Sequence, residues 1–297
     1  MDAPRYCLGV IGGSGIAGLG STEVIREHTA GTPYGPPSGP IVHMRSDRRA
    51  DILFLARHGP GHQIPPSAIN ARANICALKT LGATHVVSVS AVGSLRGSIE
   101  PGHLVAVNQI IDRTVRRAST FFDEPGVVAH VGFADPVCPS LRTALIAAVH
   151  AGAPDAVLHS QGTIVVIEGP RFSTRAESEQ YRAMGADVIG MNAMPEAALC
   201  REAELPYALL ALSTDYDCWH RGEGAVNAAM VAAVMEKNAG KAVRTILALA
   251  EWLPDPAQSP AHHCLDSAVM TSPEIITPES ARRITWLRPF AHYRDGQ

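Results

Sequence analysis

No apolar run in this 297-residue chain approaches the ~20 residues that a membrane helix needs, so a membrane partner is not expected. No basic stripe is present to track a phosphate backbone. Lys and Arg are scattered and the formal net charge is -3, which argues against nucleic acid as a partner. Cysteine is sparse. Cys7, Cys76, Cys138, Cys200, Cys218 and Cys264 stand far apart, with no CxxC or zinc spacing. They read as reduced, mostly buried thiols of a cytoplasmic protein. The 13 histidines form no HExxH or comparable pair, so a metal site is not indicated. Met1-Asp2-Ala3-Pro4-Arg5-Tyr6 has no charged-then-apolar signal pattern, and a cytoplasmic location is expected. There is no internal repeat and no low-complexity tract.

What the chain does have is a large apolar fraction, 46%, enough to bury a sizeable core. Strand-like runs are expected at Tyr6–Ile11, Asp51–Ala56, Thr84–Ser90, His103–Ile111, Gly162–Ile167, Ala186–Met191 and Tyr207–Leu212. Helical patterns occupy Ser67–Leu81, Ser140–Ala151, Ser173–Met184, Pro195–Glu204 and Ala225–Trp252. This alternation predicts an α/β fold with a largely parallel or mixed sheet. Residues 1–253 read as one domain. Pro254–His263 is a Pro- and His-rich connector, and residues 264–297 form a tail with little apolar content of its own.

The densest chemistry lies in Ser213-Thr214-Asp215-Tyr216-Asp217-Cys218-Trp219, where the Tyr207–Leu212 strand ends. Side chains alternate in an extended chain, so Asp215 and Asp217 are expected on one face and Tyr216 on the other. Mutual repulsion and burial favour a proton on one of the carboxyls near neutral pH. A protonated carboxyl can donate to a leaving group. The competing reading is an Asx-rich turn with both groups solvated.

The first strand runs into Gly12-Gly13-Ser14-Gly15-Ile16-Ala17-Gly18, and residues 13–18 match G-x-G-x-x-G. A dinucleotide-binding unit would need a crossover helix at once, then a strand ending in an acid. Here Thr32-Pro33-Tyr34-Gly35-Pro36-Pro37-Ser38-Gly39-Pro40 breaks the helical pattern, which argues against that unit. The alternative is a nest, in which backbone N–H groups and the Ser14 hydroxyl converge on an anion. Arg57-His58-Gly59 and Ser90-Ala91-Val92-Gly93-Ser94 also stand at strand ends. Asn192 stands where it can cap a helix or meet an anion. An Arg-His pair at a strand end is also an ordinary surface feature. Together these donors describe a phosphate-using site with an acid nearby.

In this order, Gly12-Gly13-Ser14-Gly15, Arg57-His58-Gly59, Asn70-x-x-Ala73-Asn74, Ser90-Ala91-x-Gly93-Ser94, Asp112-Arg113-Thr114, Glu168-Gly169-Pro170-Arg171-Phe172-Ser173, Met191-x-x-x-Pro195-Glu196 and Thr214-Asp215-Tyr216-Asp217-Cys218-Trp219 resemble the purine nucleoside phosphorylase superfamily, in its 5′-methylthioadenosine phosphorylase branch. The resemblance spans about residues 6 to 250. It implies a single nucleoside phosphorylase-like domain with a central mixed β-sheet flanked by helices. It implies phosphorolysis of 5′-methylthioadenosine to adenine and 5-methylthioribose 1-phosphate. Phosphate is then a co-substrate, and no cofactor is required. Ser14, Arg57, His58, Ser90, Ala91 and Asn192 would hold phosphate. Met191 would pack on the ribose, Phe172 and Ser173 would line the base pocket, and Asp215 and Asp217 would meet the purine. Ala228 and Val231 would face the 5′ substituent. The family is typically trimeric, which implies a homotrimer or a dimer of trimers, with His130 lent by a neighbouring subunit. The tail would pack on the domain or on that neighbour.

The chain departs from the family's usual pattern at Asn192 and Ser14, where Thr is common, and at Ala228, where valine is usual. Asn and Ser still donate, while the smaller Ala228 widens the expected 5′ pocket. Two other readings stand beside this one. They are a phosphorylase of inosine, guanosine or methylthioinosine, which the aspartate pair disfavours, and a nucleoside-binding protein without turnover.

Overall fold

The computed structural model describes residues 6–13, 23–29, 31–45, 50–220 and 228–295, the side chains of 228–233, 237 and 295 apart. Within them the strands are β1 (Tyr6–Gly12), β2 (Glu23–His28), β3 (Ile41–Arg45), β4 (Ala50–Ala56), β5 (His85–Ser94), β6 (Leu104–Ala106), β7 (Gln109–Arg113), β8 (Leu158–His159), β9 (Thr163–Ile167), β10 (Val188–Gly190) and β11 (Tyr207–Asp215). The helices are α1 (Ala71–Thr80), α2 (Pro139–Gly152), α3 (Arg175–Ala183), α4 (Ala193–Glu202), α5 (Ala228–Leu249) and the short α6 (Pro278–Ala281). Among the described residues no helix is long and apolar enough to cross a membrane.

All the strands join one mixed sheet, ordered β2-β3-β4-β1-β5-β10-β9-β7, with β11, β6 and β8 branching from β5. The central strands are apolar on both faces because helices cover both. Alternation sorts their side chains. Ile52, Phe54, Val87, Leu210 and Leu212 meet Leu141 and Leu145 of α2 and Ile246 of α5. Leu53, Leu55, Val86, Leu209 and Ala211 meet Ile75 and Leu78 of α1 and Ala197 and Leu199 of α4.

Several elements differ from the expected ones. The run His103–Ile111 is two strands. β6 pairs antiparallel with β11, whereas β7 pairs parallel with β9. The break falls at Asn108, whose N–H donates to the Gly162 carbonyl and whose Oδ1 accepts from the Gly162 N–H. β2 and β3 were not expected at all. β2 is a charged, exposed edge strand, EVIREH, and such strands carry little apolar pattern.

The tail lies on the α1/α4 face, where Leu265, Ala268, Ala281, Ile284, Leu287 and Phe290 are buried. Arg288 clamps Glu204 with two 2.9 Å hydrogen bonds. Phe121 packs edge-on against Trp286 at 4.8 Å between ring centroids.

Candidate active site

The cavity arises where the sheet branches. β1 accompanies β5 only from Leu8↔His85 to Ile11↔Ser88. β10 takes over that edge, antiparallel, only at Gly93 and Ser94. Between these pairings Val89, Ser90, Ala91 and Val92 line a cavity of about 960 Å³. Ligand crevices at such switch points follow from strands parting company.

β4 ends at Ala56 and delivers Arg57 and His58 to this cavity. Arg57 is not a surface residue, for it is only 1% exposed. Its Nε donates to Glu196 Oε1 at 2.5 Å, and its Nη2 donates to Glu196 Oε2 at 3.1 Å and to Ser88 Oγ at 2.5 Å. Nη1 donates to the Val89 carbonyl at 3.1 Å. A buried cation needs such a partner to offset its desolvation. Glu196, which the sequence shows in the Pro195-Glu196 motif without assigning it a role, supplies it from α4.

His58 Nδ1 lies 2.8 Å from the Ile64 carbonyl, which accepts and so fixes the hydrogen on Nδ1. Burial pushes the His58 pKa down to about 4, so the ring is neutral at physiological pH. Gly59, at φ 70°, allows the turn that folds Ile64 back. A Cβ there would stand 3.0 Å from the Ser38 carbonyl oxygen.

Asn192 occupies the N-cap position of α4 without making a side-chain cap bond. Its Nδ2 instead donates to Ser90 Oγ at 3.3 Å. Its buried Oδ1, like the buried Ser173 Oγ, has no hydrogen-bond partner among the described residues. Buried polar atoms are normally paired, so these two point to a polar occupant. Ala91 and Met191 line the same cavity.

The two aspartates reach the cavity by a route that alternation did not predict. β11 ends at Asp215, after a register shift against β5 between Ser213 and Asp215. Asp217 then turns at φ 50°, and its N–H donates back to Asp215 Oδ1 at 2.8 Å. Thr214 Oγ1 lies 2.8 Å from Asp215 Oδ2 as a further donor. Ser178 Oγ of α3 donates to Asp217 Oδ2 at 2.6 Å. Burial raises the Asp217 pKa, against the Ser178 and Cys218 N–H bonds that lower it. Desolvation, rather than repulsion from Asp215, is the leading cause. Gly93 makes room for the pair, since a Cβ there would lie 2.9 Å from Asp215 Oδ1 and 3.3 Å from Asp217 Cβ.

The structure therefore gathers Arg57, His58, Ser90, Ala91, Asn192, Phe172, Ser173, Met191, Asp215 and Asp217 around one cavity. Phe172 remains 42% exposed. His130 is exposed and is not among the residues lining this cavity. Ser14 lies outside the described residues. Ala228 and Val231 begin α5, and their side chains also lie outside the described set. Met235 and Ala239 of the same helix do line the cavity. They follow Val231 at helical spacing, so the 3.6-residue period extends that expected face to them. Among the described residues no group of three or more His, Cys, Asp or Glu is placed to hold a metal ion.

The chain and its fold are matched by known proteins. A sequence profile of the phosphorylase superfamily matches residues 8–251, and the chain belongs to that family. It is 46% identical over 276 residues to the S-methyl-5'-thioadenosine phosphorylase of Synechocystis sp., covering 92% of this chain and 83% of that protein. It is 44% identical over 278 residues to the enzyme of the same name from Geobacter sulfurreducens, covering 93% and 96%. The crystal structure of a methylthioadenosine phosphorylase from an antarctic soil metagenomic library superposes with a TM-score of 0.89, at 44% identity, over 96% of this chain and all of that one. The Schistosoma mansoni enzyme in complex with adenine gives a TM-score of 0.84 at 34% identity, over 90% and 99%.

Proposed function

We propose that this chain cleaves 5′-methylthioadenosine with inorganic phosphate, releasing adenine and 5-methylthioribose 1-phosphate, a pentosyl transfer that serves methionine and purine salvage. One observation carries the reading. The Ser90–Asn192 cluster and the Asp215–Asp217 pair, which packs on Gly93, are three residues apart along β5, about 10 Å. That span suits a sugar seated between an anion and a base.

A phosphate oxygen attacks the anomeric carbon while the glycosidic C–N bond breaks. The leaving electron pair moves onto the purine. Asp217 gives a proton at N7 so that adenine departs neutral. Asp215, which accepts from Thr214 Oγ1 and the Asp217 N–H, takes a further hydrogen bond from the exocyclic amine. A 6-oxo purine presents an acceptor there and is rejected, because a buried acceptor is left unpaired. Phosphate, held by Ser14, Arg57, Ser90, Asn192 and the Ala91 backbone, with the neutral His58 ring accepting a proton of hydrogen phosphate rather than donating one, offsets the positive charge that builds on the ribosyl centre. Met191 packs on the ribose, and Phe172 and Ser173 bound the base. Ala228 and Val231 face the methylthio group, an assignment that Met235 on the same helix supports with its own apolar side chain. Phosphate is the co-substrate, and the chemistry asks for no other cofactor or metal.

We assign residues 1–253 to the catalytic domain and 254–297 to a connector and tail packed on it, which the buried Leu287 and Phe290 support. A homotrimer, with His130 reaching a neighbour's 5′ pocket, fits the exposure of His130. A cytoplasmic location fits the six free thiols. The partners are then small molecules, without nucleic acid or membrane.

The test is adenine release from 5′-methylthioadenosine with and without phosphate, alongside inosine. Release that requires phosphate, with inosine untouched, is expected. Release without phosphate identifies a hydrolase, and cleavage of inosine instead overturns the reading of the aspartates.

A further inference from the structure

Two parts of the chain, each at or beside a motif of the sequence, have no part in the chemistry above. One is the segment after Asp112-Arg113-Thr114, and the other is Glu168. The structure joins them. Glu168 Oε2 accepts the backbone N–H groups of Val115 at 2.7 Å and Arg116 at 3.2 Å. Its Oε1 accepts Arg117 Nε at 3.2 Å. The rest of the Arg117 fork goes to backbone carbonyls. Nη1 donates to Met191 at 2.5 Å and Met194 at 2.7 Å, and Nη2 to Ile167 at 3.2 Å and Glu168 at 2.7 Å. The Arg117 side chain is only 6% exposed.

These four carbonyls belong to two strand ends. Ile167 and Glu168 close β9 and lead into Phe172 and Ser173. Met191 and Met194 bracket Asn192 at the start of α4. Met194 departs from helical geometry, with φ −112° and ψ 136°, so the first turn of α4 is irregular. A guanidinium with five fixed N–H donors can hold several carbonyls in one geometry, which an ammonium cannot. The polar partners of Arg117 are Glu168 and the four carbonyls, whereas Arg57, His58 and Ser90 come from β4 and β5.

We propose that Arg117, set by Glu168, is a positioning residue for the nucleoside half of the cavity, holding the β9 and β10 ends at the separation that seats base and ribose. The proposal rests on the site assignment given above. It makes the loop after β7 a determinant of nucleoside affinity.

The experiment compares wild type with Arg117→Met, Arg117→Lys and Glu168→Gln. Each substrate is varied at saturation of the other, and a thermal melt is recorded for every protein. The KM for 5′-methylthioadenosine is expected to rise tenfold or more in Arg117→Met. The rise is smaller in Arg117→Lys and smallest in Glu168→Gln, which keeps the shape of its acid and leaves the Arg117 fork in place. The KM for phosphate is expected to rise less than that for 5′-methylthioadenosine, because Arg57, His58, Ser90 and Ala91 come from β4 and β5, while Asn192 stands between the held Met191 and Met194. Backbone hydrogen exchange, which needs no turnover, is expected to speed up at 168–173 and 191–194 in the Arg117 variants. Lower melting temperature with both KM values unchanged, or unchanged exchange in those segments, overturns the proposal. If wild type itself fails to turn over 5′-methylthioadenosine, the functional reading falls, and the exchange data still decide whether Arg117 holds the two strand ends.

Discussion

On the Arg57 side of the cavity a buried cation lies against a buried carboxylate. On the Asp217 side a buried carboxyl is held, among the described residues, by neutral donors, Ser178 Oγ and the Cys218 N–H. The first arrangement locks its two partners together, because neither can leave without stranding the other in the interior. The second leaves a proton free to move, because burial raises the acid's affinity for it and the donors it has among the described residues are neutral. His58 extends the contrast, since its ring is kept neutral beside the Arg57–Glu196 pair.

The comparison can be broken first at Asp217. Asp217→Asn keeps the shape and most hydrogen bonds but cannot give up a proton as the acid does. Turnover of 5′-methylthioadenosine is expected to fall by about 10²–10⁴-fold, the usual worth of a general acid. Stability is expected to hold or rise slightly, because a buried acid is gone. Steady-state rates with a urea melt check both parts.

Arg57→Ala probes the other side and inverts the pattern. It strands Glu196 without its cation, and such losses cost about 3–5 kcal/mol of stability. The urea midpoint is expected to drop clearly, together with a higher requirement for phosphate. Equal stability losses in Arg57→Ala and Asp217→Asn would erase the distinction drawn here.

A smaller effect sharpens it. The His58 pKa is lowered by burial from 6.5 to about 4. Between those values the unfolded chain binds a proton that the folded chain does not. Stability therefore falls as pH drops through this window, by at most about 3 kcal/mol from His58. In His58→Gln, acid unfolding is expected to lose that share of its pH dependence. An unchanged acid transition would mean that the imidazole is not held neutral.

The Asp215–Asp217 pair was legible because its residues are contiguous and end a strongly apolar strand. Its geometry was not, because the turn at Asp217 depends on a backbone conformation outside strand alternation. Arg57 was legible as a ligand candidate but not as buried. Its partner Glu196 is 139 residues away, and no local pattern links them. Arg117 was invisible for the same reason, since it acts on carbonyls 50 to 77 residues distant. The α/β alternation survived wherever strands are apolar on both faces, as in β4, β5 and β11. It failed at β2, whose exposed edge needs charge rather than apolar residues. It failed at His103–Ile111 because one apolar run serves two neighbours in the sheet.

The most direct test is the pH dependence of kcat/KM for adenine release from 5′-methylthioadenosine at saturating phosphate, in wild type and Asp217→Asn. If Asp217 donates the proton, wild-type activity falls with one-proton slope as pH rises through its elevated pKa, and the variant lacks that limb. An alkaline limb that persists unchanged in Asp217→Asn would contradict the assignment and place the proton on another group.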